Sequence, residues 1–221
     1  MQTIEYTPGR LADIHGDLSQ PAVLLWHGMQ ANARAVLRPL AGLLAGRGVA
    51  VVAPDWDSHA ADRGREALLQ SLDFMQECRD GHEFVLVGWS MGGLAAAGLT
   101  LADREVPLMH TVCLAGAFLV PDPITGGNPS QGMTAARDGP PLTLLHGRDD
   151  AVVPVTASRD FAAHLERVGW PVELVELAAD HGSIAGAEYE AAADRYHAAR
   201  GGEPLEVAGA VAARIAAILE R

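Results

Sequence analysis

Phe84-Val85-Leu86-Val87-Gly88-Trp89-Ser90-Met91-Gly92-Gly93 reads as a short apolar strand, a tight turn and the start of a helix. Ser90 stands at the turn, inside Gly88-x-Ser90-x-Gly92. A serine on a sharp strand-to-helix turn presents its hydroxyl outward, where another molecule can reach it. The flanking glycines have a steric reason, because a Cβ at either position would collide with neighbouring chain. Behind the turn, Leu94 to Leu101 is small and apolar, rich in Ala and Gly. Such a helix packs closely under a sheet and brings its positive N-terminal end beneath Ser90. The same five letters also make an ordinary βα turn, so the reading depends on what the rest of the chain supplies.

Upstream, Thr3 to Tyr6 and Leu11 to His15 read as two short strands around Pro8-Gly9. Ala22 to Trp26 is a buried strand that ends in His27-Gly28-Met29-Gln30. Ala33 to Ala45 carries Val36, Leu40, Leu43 and Leu44 as a helical stripe, with Pro39 predicting a kink or a later start. Val49 to Ala53 is a strand and Arg65 to Arg79 an amphipathic helix with Leu68, Leu72 and Met75 on one face. Downstream, His110 to Ala115 and Leu142 to Leu145 read as strands, the latter followed by His146-Gly147-Arg148-Asp149-Asp150. Ser158 to Val168 is a helix, Val172 to Leu177 the last strand, and Glu206 to Glu220 the closing helix. Phe118 to Pro140 holds four Gly and four Pro without a helical or strand period, which predicts a surface loop or a small cover beside a pocket. Ser183 to Gly202 reads either as helix, from its Ala-rich centre, or as a loop, from Tyr189, Tyr196 and their charged neighbours.

Strands alternating with helices imply a mostly parallel twisted sheet with helices on both faces. Ligands bind such sheets beyond the carboxyl ends of the strands. His27, Ser90, Asp149 or Asp150, and His181 each follow a predicted strand, so these segments should meet along one edge.

Composition bounds the alternatives. The 221 residues are enough for one domain with a large core, and at 49% hydrophobic but 5% aromatic that core is mostly Ala, Leu and Val. The net charge of −12, with no lysine and all 16 basic residues arginine, argues against nucleic acid. No basic-then-apolar leader or membrane-length apolar run is visible, so the expectation is a soluble cytoplasmic protein that does not engage a membrane. Cys78 and Cys113 fit neither a disulfide framework nor a zinc site and read as free thiols.

The edge residues suit acyl chemistry. A serine hydroxyl needs a base to accept its proton as it attacks, and histidine is matched to neutral pH. A carboxylate behind the imidazole fixes its tautomer, and aimed N–H donors hold the developing oxyanion. Ser90, Asp150 and His181 supply these types in the chain order Ser, Asp, His. The chain here resembles the α/β-hydrolase superfamily, within its small esterase and dienelactone-hydrolase-like members. The resemblance covers nearly the whole chain. Its carriers are Trp26-His27-Gly28, Gly88-Trp89-Ser90-Met91-Gly92-Gly93, His146-Gly147-Arg148-Asp149-Asp150-Ala151-Val152-Val153-Pro154, and Asp180-His181-Gly182. Dienelactone hydrolases carry cysteine at the nucleophile position, so Ser90 shifts the expectation from lactones to esters generally.

What the resemblance implies is one α/β-hydrolase domain over residues 1–221, with a short loop or minimal cap at about 118–140. It implies Ser90 as nucleophile, His181 as base and Asp150 as its orienting acid. The family pattern His-Gly-x-x-Asp-x-x-Val-Pro aligns on Asp150, which leaves Asp149 as a turn residue. The anion site would use the backbone N–H of Met91 and of Met29, with Gln30 as the other candidate for the second donor. His27 resembles the histidine of that loop rather than a base, and His146 a structural residue.

The expected reaction is cleavage of small carboxylic esters through an acyl-enzyme, without cofactor or metal. Thioesterase, lactonase and acyl or peroxide transferase remain alternatives on the same machinery, as does a non-catalytic ligand-binding module. Homo-oligomerisation is left open. Asp55-x-Asp57-x-His59 with Asp62 could be read as metal ligands, but a loop does not align alternate residues, and Asp62 is placed to cap the following helix.

Overall fold

A computed structural model of the chain describes residues 1–102, 104–129 and 139–220. It contains eight strands in one sheet: β1 (Gln2–Thr7), β2 (Arg10–His15), β3 (Ala22–Trp26), β4 (Ala50–Pro54), β5 (Phe84–Trp89), β6 (Leu108–Leu114), β7 (Leu142–Gly147) and β8 (Val172–Leu177). They lie in the order β1-β2-β4-β3-β5-β6-β7-β8. β1, β2 and β4 pair antiparallel, and every pair from β4 through β3 to β8 is parallel. The parallel strands require crossovers, and the helices α1 (Arg38–Ala45), α2 (Arg65–Cys78), α3 (Met91–Leu101) and α4 (Thr156–Val168) lie on four of them, those from β3 to β4, β4 to β5, β5 to β6 and β7 to β8. A fifth helix, α5 (Glu203–Leu219), closes the described chain.

The period of two sorts the central strands between two faces. Val23, Leu25, Val51, Val85, Val87, Val112 and Leu114 face α1 and α5. Leu24, Trp26, Val52 and Leu86 face α2 and α3, and Leu142 and Leu144 face α3 and α4. Because helices cover both faces, β3, β4, β5 and β7 are buried along their whole lengths, which is why they read as unbroken apolar runs.

Several boundaries differ from expectation. A 3₁₀ turn at Arg34–Leu37 precedes α1, which begins at Arg38 and holds Pro39 in its first turn, where the missing N–H costs nothing. α5 likewise starts early, with Pro204 in its first turn. β7 runs on to Gly147, so His146 belongs to the strand instead of following it.

The ambiguous stretch after His181 is neither a long helix nor a plain loop. It forms a short 3₁₀ turn (Ser183–Ala185) and a hairpin of β9 (Ala187–Glu190) and β10 (Arg195–Ala198), with Tyr189 opposite Tyr196. Cross-strand aromatic pairing of this kind stabilises a two-stranded unit that its Ala-rich composition disguises. In the segment after β6, the Asp122 carboxylate accepts N–H groups of Ile124 and Thr125 at 2.7 and 2.9 Å and closes a turn. The expected cover at 118–140 falls partly on residues 130–138, outside the described residues. No described helix is long and apolar enough to cross a membrane.

Candidate active site

Ser90 occupies the turn between β5 and α3 with φ 56° and ψ −116°, a backbone conformation that costs a non-glycine residue roughly 1–3 kcal/mol. Its neighbours hold it there. The Ser90 N–H donates to Leu114 at 2.8 Å, and its carbonyl accepts from Leu94 and Ala117 at 3.0 and 3.1 Å. The flanking glycines are obligatory by contact. A Cβ on Gly88 would lie 2.1 Å from the Gly92 carbonyl oxygen, and one on Gly92 would lie 2.4 Å from that of His27. The turn is therefore pressed against β3 and the loop that leaves it.

His181 follows β8. The Asp180 carboxylate accepts the N–H groups of Gly182 and Ser183 at 2.9 and 2.7 Å, which bends the loop back toward Ser90. The indole N–H of Trp89 donates to the His181 carbonyl at 2.8 Å, with the two rings 5.4 Å apart. So fixed, the imidazole sets Nε2 3.0 Å from Ser90 Oγ and Nδ1 2.7 Å from Asp150 Oδ2. The tautomer that satisfies both contacts has Nδ1–H donating to the carboxylate and Nε2 accepting from the hydroxyl.

Asp150 lies on the loop after β7. Its Oδ1 accepts the N–H groups of Val152 and Val153, each at 2.8 Å. Burial pushes its carboxyl up, but hydrogen bonds from His146, His181 and the Val153 N–H outweigh that and hold it well below the usual carboxylate range. Of the two adjacent aspartates, Asp150 is buried and reaches His181, while Asp149 is exposed and donates its N–H to the Ala179 carbonyl at 3.1 Å. His146 is a second imidazole on Asp150, with Nε2 3.3 Å from Oδ2 and 2.9 Å from the Val153 carbonyl, and Nδ1 2.7 Å from Ser158 Oγ. Sequence reasoning treated His146 as structural but had no means to see that it braces the acid.

The loop after β3 carries Met29. Its carbonyl accepts the Ser58 hydroxyl at 2.7 Å. The loop is anchored behind by His27, fully buried, whose Nδ1 donates to the Gly28 carbonyl at 2.8 Å and whose Nε2 accepts the N–H groups of Ala33 and Trp56, each at 3.2 Å. Burial drives the His27 pKa down to about 4, so the ring stays neutral and free to accept. Met91 is the first residue of α3, where a backbone N–H has no intrahelical acceptor.

Gln30 takes a different position from a backbone donor alone. Its amide clasps Tyr196, accepting that residue's N–H and donating to its carbonyl at 3.1 Å. The hairpin is thereby stapled to the Met29 loop, and Tyr196 lies edge-on to Trp89 at 5.1 Å and 5.8 Å from the His181 ring. The sequence marked Tyr196 only as a sign of loop, because the Gln30 amide that fixes it lies 166 residues away in the chain.

Above Ser90 opens a cavity of about 850 Å³, lined by Met29, Gln30, Trp89, His181, Tyr189 and Tyr196 among others. No described residue of the 118–140 segment lines it, so the hairpin and not that segment forms its visible wall. The candidate metal ligands are otherwise engaged. Asp55 pairs with Arg34, Asp57 with His59 at 3.2 Å, and Asp62 accepts the Glu66 N–H at 2.7 Å at the start of α2. Among the described residues no group of three or more His, Cys, Asp or Glu could hold a metal ion. Both cysteines are free, and burial pushes the Cys113 thiol up to about 12.

An eight-stranded, mostly parallel sheet with a strained serine at the β5 turn defines an α/β hydrolase, and residues 23–219 match the model of the alpha/beta hydrolase family; the chain belongs to that family. Among solved structures it is similar to a thermophilic esterase of the Planctomycetes species Thermogutta terrifontis, at TM-score 0.67 and 18% identity, over 83% of each chain. Esterase 2 of that organism phosphorylated by paraoxon matches at TM-score 0.66 and 20% identity, over 82% of this chain and 84% of that one. The form phosphoramylated by tabun matches at TM-score 0.70 and 18% identity, over 97% and 94%. No curated protein matches the chain.

Proposed function

We propose that this hydrolase cleaves small carboxylic esters through an acyl-enzyme formed on Ser90. The observation that carries the reading is the continuous relay Ser90 Oγ, His181 Nε2, His181 Nδ1, Asp150 Oδ2, with contacts of 3.0 and 2.7 Å. Within the family we read the chain as a small esterase that resembles dienelactone hydrolases, with serine in place of their cysteine.

In this mechanism Ser90 Oγ attacks the ester carbonyl as His181 Nε2 takes its proton. Asp150, kept ionised by its hydrogen bonds, steadies the imidazolium. The carbonyl oxygen becomes an oxyanion held by the N–H groups of Met91 and Met29. The tetrahedral species collapses, the bond to the alcohol oxygen breaks, and His181 returns the proton to that oxygen. Water, deprotonated by His181 in turn, then releases the acid and restores Ser90. No metal or cofactor takes part.

The similarity to an esterase that paraoxon phosphorylates supports the reaction type. Turnover of 4-nitrophenyl acetate, with Ser90→Ala lowering kcat by about 10³-fold or more, is the expected result. A fluorophosphonate should label Ser90 in the parent chain and nothing in Ser90→Ala. Labelling that persists in the variant would reject the assignment.

A further inference from the structure

The relay fixes which part of an ester the cavity must receive, provided the serine-hydrolase reading holds. In the tetrahedral species the carbon bears four groups: Ser90 Oγ, the oxyanion, the acyl chain and the alcohol oxygen. The oxyanion points at the Met91 and Met29 amides. The alcohol oxygen must stand within hydrogen-bond reach of His181 Nε2, since that atom returns its proton. The alcohol group therefore extends along the flank of His181. The aromatic wall of the cavity lies on that flank, with Gly182 next to the imidazole, Tyr196 against its ring at 5.8 Å, Tyr189 beyond Tyr196 at 5.2 Å and Val152 on the loop that carries Asp150, while Met29 and Gln30 line the cavity from the loop after β3.

We infer that the cavity is the leaving-group subsite and that it selects esters of bulky aromatic alcohols. At about 850 Å³ it lies within the roughly 300–1,000 Å³ of sites for drug-sized ligands, far more than an ethoxy group needs. Its apolar wall is incompletely covered, with Tyr189 52%, Met29 56% and Val152 61% exposed. The rings are already arranged as an aromatic stack. Tyr196 stands edge-on to Trp89 at 88°, and Tyr189 tilts 53° against Tyr196. An incoming ring extends that series in the tilted geometry aromatic groups favour.

The wall is also held in place before any ligand arrives. The Tyr189 hydroxyl donates to Asp194 at 2.5 Å, and Gln30 grips the Tyr196 backbone on both sides. A pre-ordered wall spares the entropy of arranging it on binding.

Two ester series test this. Ethyl, benzyl and 2-naphthylmethyl acetate vary the alcohol at similar leaving-group acidity, while benzyl acetate, butyrate and octanoate vary the acyl chain. The expected result is a kcat/KM that rises about tenfold or more from ethyl to 2-naphthylmethyl acetate, and a flat or falling acyl series. In Tyr189→Ala the alcohol preference should shrink to under about threefold. Tyr189→Leu, which keeps apolar bulk without a ring, should lose most of it as well. A preference that survives in Tyr189→Leu overturns the aromatic selection. An acyl series that climbs more steeply than the alcohol series overturns the subsite assignment, while the hydrolase reading stands on Ser90 labelling. No turnover of any ester together with no labelling at Ser90 removes both.

Discussion

His27 shows how a single buried side chain can hold a loop beside the candidate site without joining it. Its neutral Nε2 is the acceptor for two backbone N–H groups, from Ala33 and Trp56. Protonation would remove that acceptor, and burial has moved the pKa from 6.5 in the free group to about 4. The unfolded chain therefore binds this proton more tightly than the folded one. The stability it contributes is complete above pH 6.5 and is lost as pH falls from there to about 4, by about 3 kcal/mol in all. Urea unfolding at pH 7 and pH 4.5 should show that loss in the parent chain. His27→Ala should be less stable by roughly 2–4 kcal/mol at pH 7, through two orphaned donors, yet depend less on pH over this interval. Ser90, Asp150 and His181 were legible as residues because each sits in a short pattern after a strand. Tyr196 was not, since the Gln30 amide that fixes it is 166 residues away, and the contact of His146 with Asp150, only four residues on, depends on how the chain turns after β7 and not on the pattern itself.

At the scale of elements, the strands and most helices follow from hydrophobic period, and Pro39 marked the later start that α1 shows. Pro204 signals a helix start only when read as a first-turn residue, and the β9–β10 hairpin also depends on contacts to other elements, such as the Gln30 clasp on Tyr196. The junction of β7 and β8 is a case where packing admits no side chain at all. A Cβ on Gly147 would stand 2.1 Å from the Ala179 carbonyl oxygen, in the loop that leads to His181. Gly147→Ala must therefore move the Asp150 loop away from the His181 loop. The expected outcome is a loss of about 1–3 kcal/mol or more in stability and a fall of about 100-fold in kcat/KM. Thermal unfolding and ester kinetics on the same sample separate the two effects, since a merely unstable enzyme recovers its kcat/KM when assayed well below Tm.

Across the whole molecule, the antiparallel edge of the sheet is tied to the helical layer by charge. Asp13 of β2 is fully buried and accepts from Thr3 at 2.6 Å, Arg34 at 3.0 Å and Arg38 at 2.8 Å, and Arg34 also pairs with Asp55 beyond β4. Burial pushes the Asp13 carboxyl up, but these hydrogen bonds together bring it below its ordinary value. Five segments of chain thus meet at one carboxylate pair. Asp13→Ala leaves the half-enclosed Arg34 with one partner and should cost roughly 3–5 kcal/mol, read as a shift of the urea midpoint without change of slope. Composition could not show that Arg34 and Arg38, two of the 16 arginines, serve a buried carboxylate, because that depends on which strand lies beside which helix.

Trp89 donates its indole N–H to the His181 carbonyl, with its ring 5.4 Å from that imidazole and edge-on to Tyr196. An imidazolium at such range quenches indole emission, whereas the neutral ring does so far less. The chain thus carries its own optical gauge of the proton on residue 181. Because His181 hands its proton to the departing alcohol, a fast-mixing fluorescence trace with a slowly deacylating ester should show no lasting loss of emission while the acyl group sits on Ser90.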